Sequence, residues 1–178
     1  MTLVRLFAGA VALAIGAAAA ACAPITVTSF TDRGVDVTAY RTFAWDRIDT
    51  SVPGDPRLEN NEMFHGHLRA AIDRQLVSRG YEPTTLQPDV LVHYHASSRQ
   101  KIYTTGEQRT EQRCLDCTVE VYDEGTLLVD LTDARTGALV WRGVAESGLA
   151  GVVGSQPRLE ETIERVVARI IARLPRRS

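Results

Sequence analysis

Residues 125–147, GTLLVDLTDARTGALVWRGVAES, constrain the fold of this chain more than any other stretch. Residues 126–133 and 139–147 read as two strands. Ala134-Arg135-Thr136-Gly137 joins them, with glycine placed for a left-handed or bulge position, so the two strands form a hairpin. A hairpin with one apolar face needs a second layer to cover it. Downstream, Leu159, Ile163, Val166, Val167, Ile170 and Leu174 fall on one stripe at helical spacing, with Ser155 as N-cap, Glu160 and Glu161 in the first turn and Pro175 past the end.

A second helical stripe, Phe64, Leu68, Ala71, Ile72 and Leu76, lies within residues 60–79, with Gly80 at the stop. Residues 25–30 and 40–45 read as short strands separated by Asp32-Arg33-Gly34, and 90–96 alternates as a half-covered strand. Residues 117–122 predict a further strand, turning at Asp123-Glu124-Gly125, while the polar stretch 97–112 reads as a long excursion between strands. The expected fold is α+β in two layers: an antiparallel-rich sheet of about five to six strands with two helices on one face.

Residues 1–21 are of another kind. Arg5 is followed by an uncharged run of Ala, Val, Leu, Ile and Gly ending in Ala19-Ala20-Ala21, the pattern of a secretory leader and too short and alanine-rich for a membrane span. Cys22 follows, in the context AAAACAP, which resembles the lipobox of bacterial lipoproteins although Ala19 stands where leucine is usual. That resemblance implies acylation of Cys22, and Ala23 after it fits sorting to the outer membrane; ordinary cleavage after Ala21 is the alternative. Residues 22–178 then make one domain of 178 − 21 = 157 residues. Loss of Arg5 leaves 19 Lys+Arg against 22 Asp+Glu, or −3, with dispersed arginines, which argues against a nucleic-acid partner.

Three cysteines raise the question of pairing. With Cys22 committed to lipid, Cys114 and Cys117 form an even pair in an oxidising compartment, and a local disulfide is the expectation. The alternative is a metal or thiol-redox site: His93 and His95 share one face of a strand and, beside Cys114 and Cys117, would make a Cys₂His₂ set suited to zinc. His65 and His67 point apart on a helix and make a poor chelate. A thioredoxin-like role needs the first cysteine at a helix N-terminus, yet the residues after Cys117 read as strand.

In the hairpin, Asp133 is placed to accept a backbone N–H within the connection, and Asp130 to pair with Arg142 across the strands, a contact of about 0.2–1 kcal/mol. Trp45 and Trp141 are expected to close the core, Trp141 by anchoring the hairpin against a helix.

The stretches GVDVTAYRTFAW (34–45), LRAAIDRQLVSRGYEP (68–83), PDVLVHYHA (88–96), residues 125–147 and IERVVARIIARLP (163–175) together resemble the DUF4136 family of bacterial lipoproteins. The most specific piece is the spacing of Asp130, Asp133, Trp141 and Gly143. The resemblance implies anchor, compartment and fold, and supplies no chemistry. No G-x-S-x-G, H-E-x-x-H or convincing pair of carboxylates is present. The expectation is a non-enzymatic lipoprotein at the periplasmic face of the membrane, without cofactor apart from its covalent lipid, binding an unidentified envelope protein or ligand.

Overall fold

The computed structural model describes residues 24–46, 61–110, 113–152 and 154–176, with the backbone alone for 103–117. The expected leader and Cys22 lie outside the described residues. Strand β1 (Ile25–Thr31) leads through a 3-10 turn (Val37–Ala39) to β2 (Thr42–Trp45). Helix α1 (Glu62–Ser78), the short β3 (Glu82–Pro83), and strands β4 (Val90–Thr110), β5 (Arg113–Asp133) and β6 (Leu139–Gly148) follow, and α2 (Gln156–Ile171) ends the fold.

The strands form one open sheet in the order β1-β6-β5-β4-β2-β3. β4, β5, β6 and β1 pair antiparallel, whereas β2 runs parallel to both β4 and β3, so the sheet is mixed. The two-layer α+β arrangement expected from the sequence holds. Val90 and Val92 of β4, Leu127, Val129 and Leu131 of β5, and Trp141 and Ala145 of β6 share one face and meet Leu68, Ala71, Ile72 and Leu76 of α1 and Ile163, Val166, Val167 and Ile170 of α2 in a single core.

Two stretches of strand differ from the expectation. The stretch expected as a loop, 97–112, is strand as far as it is described: β4 continues to Thr110, and residues 97–105 pair in register with 118–126. Nor does the chain turn at Asp123-Glu124-Gly125, because β5 runs straight through it. Both differences have one cause. These residues lie in a ribbon without a buried face for part of its length, so alternation of hydrophobicity, the signal that marks a strand, is weak there. Gly125 looks like a turn residue, yet it serves packing: a Cβ at this position would lie 3.0 Å from Leu149 Cδ2.

The hairpin chemistry follows the sequence closely. Asp133 Oδ1 accepts from the backbone N–H of Arg135 at 2.9 Å and of Thr136 at 2.8 Å, and Gly137 takes φ 72°, the left-handed value that glycine adopts freely. Arg142 Nε and Nη2 donate to the two oxygens of Asp130 at 2.7 and 2.6 Å, a bidentate pair on the face away from the helices. That hydrogen bonding raises the Arg142 pKa above its ordinary value.

Trp141 is fully buried, and Gly143 explains how. A Cβ on Gly143 would stand 2.5 Å from both the Trp141 ring and Ile170 of α2, so glycine alone lets the indole fold along its own strand under the helix. Trp45, expected in the core, is only partly buried against it. Its ring meets Tyr94 edge-on at 5.8 Å, its indole N–H donates to Asp73 at 3.0 Å, and Arg69 lies over the ring at 4.6 Å. Ser155 occupies the N-cap of α2 but its side chain makes no capping bond.

Candidate functional site

The two helices run parallel. His67 meets Glu160 at 3.2 Å, Arg74 pairs with Glu164, and Arg79 donates to the Leu174 carbonyl at 3.2 Å, so partners advance in step along both helices. Both N-termini therefore open at the same end of the sheet. Toward that end the helix-facing side chains of the sheet shrink. β4 passes from Val90, Val92 and Tyr94 to Ala96 and Ser98, β5 from Leu131 and Val129 through Leu127 to Gly125, and β6 from Trp141 to Ala145 and Ser147. Small residues under two helices leave space, and the result is a groove of about 430 Å³.

The floor of the groove is Ala96, Leu127 and Ala145; Phe64 and Leu68 of α1 form one wall and Leu159, Ile163 and Val166 of α2 the other. Leu149 and Val152 close the end between β6 and α2, while Asn61, Ser97, Ser98, Ser155 and Gln156 make an uncharged polar rim. Among the described residues no ionisable side chain lines it. Sequence reasoning missed this site because each lining residue reads as ordinary core. The graded fall in side-chain size along three neighbouring strands is the signal that carries it, and it is visible only once the register is known.

The predicted site residues fall elsewhere. His93 and His95 stand on the opposite face of the sheet, half-buried. His93 Nε2 lies 3.3 Å from Asp46 Oδ2 and 3.2 Å from Thr132 Oγ1. An Asp–His–hydroxyl relay uses the two opposite ring nitrogens, and here one nitrogen faces both partners, so this trio is not arranged as one. His95 pairs with Leu128 in register, and Cys117 lies 128 − 117 = 11 residues further along β5, roughly 35 Å at strand rise. The strands thus do not bring the two histidines and two cysteines together.

Cys114 and Cys117 sit within β5, three residues apart on an extended backbone rather than at a helix N-terminus. The ladder is irregular between them, Thr118 pairing with Thr105 and Leu115 with Glu107, so the regular strand spacing of about 10 Å over three residues does not apply there. Their side chains are outside the described set. His65 and His67 diverge as expected, to Tyr94 OH at 2.7 Å and to Glu160.

Tyr40 and Asp133 form a hydrogen-bonded pair at the hairpin connection. Burial, then the bond it donates to Asp133 at 2.9 Å, pushes the Tyr40 hydroxyl up to about 12. Asp133 is held below the usual carboxylate range, first by the Thr136 backbone N–H and then by Tyr40. Among the described residues no three His, Cys, Asp or Glu side chains cluster as metal ligands, and no helix is long and apolar enough to cross a membrane.

The fold is shared with a solved structure. A PDZ domain protein from Parabacteroides distasonis is 17% identical with a TM-score of 0.54, over 87% of this chain and 36% of that one, so this chain corresponds to about a third of that protein. The PelC dodecamer from Paraburkholderia phytofirmans is 13% identical with a TM-score of 0.46, over 87% of this chain and 100% of that one. No curated protein matches the chain. Residues 27–176, which span both helices and all six described strands but for the first residues of β1, match the family described as "Domain of unknown function (DUF4136)", and the chain belongs to that family.

Proposed function

We propose that this chain is a non-enzymatic lipoprotein of the bacterial cell envelope, held through Cys22 on the periplasmic face of the outer membrane, whose work is binding. The observation that carries the binding role is the groove: about 430 Å³ lined, among the described residues, by apolar and uncharged polar side chains, a setting that suits holding a ligand. The leader and the AAAAC sequence around Cys22 support the anchor. Three acyl chains at about 0.8 kcal/mol per buried CH₂ would make that anchor stable.

Metabolic labelling with a fatty acid and fractionation of the envelope test the anchor. The parent protein is expected to take up label and sediment with the outer membrane; a Cys22→Ser chain that does both equally well sinks the reading. Crosslinking in the native envelope from Gln156, on the exposed rim, tests the binding role. A specific adduct with one envelope component is expected there and not from the exposed Arg135 at the other end of the sheet.

A further inference from the structure

We propose that the groove seats an acyl chain, and that this chain is the one carried by Cys22 of the same molecule. The inference rests on the lipoprotein reading above, and three observations point to it. The groove is apolar on floor and walls, and its 430 Å³ falls within the roughly 300–1,000 Å³ of small-ligand sites. The chain start is delivered beside the groove: Ile25 pairs with Ser147, a residue of the groove, and the Ile25 carbonyl, which accepts from Arg169 in the last turn of α2 at 3.3 Å, is tied to the helix layer. Cys22 precedes Ile25 by three residues, a reach of at most about 10 Å, and paired strands lie about 5 Å apart, so the lipid begins within a short span of the groove.

The other segment leading to the rim suits an apolar slot poorly. Residues 47–60, just before Asn61, read RIDTSVPGDPRLEN, with five charged residues and two prolines. An acyl group has what that segment lacks, a continuous apolar surface without backbone polar groups that would need partners in the groove. With one acyl chain in the groove and the others in the bilayer, the end of the domain bearing both helix N-termini is drawn against the membrane surface.

The test uses cis-parinaric acid, a fatty acid that fluoresces in apolar surroundings. The mature chain carrying Cys22→Ser, exported behind a cleavable leader, is expected to bind one equivalent saturably. Ala96→Phe, which fills the floor, and Leu159→Trp, which fills the wall, should each weaken uptake at least tenfold with the thermal transition retained. The lipid-bearing parent in nanodiscs should take up the probe at least tenfold more weakly than the Cys22→Ser chain. No saturable uptake by folded Cys22→Ser protein, or uptake indifferent to both filling variants, overturns the groove as an acyl site. Uptake that appears only after cleavage within residues 47–60 assigns the groove to that segment and overturns the proposal.

Mass spectrometry separates this inference from the reading beneath it. A parent without lipid on Cys22 removes the lipoprotein assignment and its occupant together. A parent that carries the lipid yet takes up probe as freely as Cys22→Ser removes the occupancy alone.

Discussion

The two ends of the β4–β5 hairpin share strands and ladder and differ in everything else. At the base, Val90 and Val92 face Leu131 and Val129 beneath the helices, all at 1% exposure or less. Beyond Glu124, where β6 stops pairing with β5, the same face carries Ile102, Val119 and Val121 at 71, 58 and 59% exposure. β2 leaves β4 already at Val92, so among the described residues the distal ribbon has two open edges. Backbone pairing is the same in kind throughout. The cover of two helices is what separates a core from an arm, since a two-stranded ribbon alone is marginal in water.

The largest effect should come from the base. Leu131→Ala removes a fully buried side chain and is expected to cost about 3–4 kcal/mol, read from chemical unfolding. Next is Gly143→Ala. The added methyl would meet the Trp141 ring and Ile170 at 2.5 Å, and about 2 kcal/mol of overpacking is expected; the double variant Gly143→Ala with Ile170→Val should recover part of it. If Leu131→Ala costs no more than a truncation in the arm, the contrast between base and arm collapses.

That contrast also decides what the sequence discloses. Wherever one face is covered, the period is written in the residues: Leu159 to Leu174 on α2, Val90 to Ala96 on β4, and the hairpin of β5 and β6 with its Asp133 and Gly137 turn. The Asp130–Arg142 pair was legible for the same reason, because alternation fixes which residues share the outer face. In the arm, Arg99 and Lys101 follow no buried face and imitate a loop, while Glu124 and Gly125 at its border imitate a turn. The groove was illegible for a different reason. It depends on which of Ala96, Gly125, Ala145 and Ser147 lie side by side, and that is a matter of register between strands distant in sequence.

Glu124 marks the border between the two regions and should give an intermediate effect. Its carboxylate meets Lys101 Nζ at 2.7 Å and Arg99 Nη2 at 3.1 Å. Burial alone pushes its pKa up, but hydrogen bonds from Lys101 and Arg99 outweigh burial and hold the group below its ordinary 4.5. A carboxylate lowered in the folded state stabilises fully above its unfolded pKa, and loses that contribution as pH falls through the folded value. Glu124→Gln should therefore cost about 1 kcal/mol at pH 7, and the deficit should shrink as pH falls below 4.5. A deficit that is the same at pH 7 and pH 3 would show that charge has no part in it.

The smallest effect on global stability belongs to the arm, and it is the most informative. Ile102 and Val121 are direct cross-strand partners, exposed on both sides of the pair. Replacing both by Thr keeps the β-branched shape and removes apolar surface that already meets water, so global unfolding should shift by less than about 0.5 kcal/mol. Native-state hydrogen exchange should nonetheless divide one strand in two: amides of residues 127–131 exchange only through global unfolding, and those of 118–121 through local opening at far lower free energy. Equal protection along β5 would mean that the arm is covered in solution by something other than the two helices. Faster exchange at 118–121 in the double variant, with the base unchanged, would show that the arm's apolar pair stabilises the ribbon locally and leaves the core indifferent.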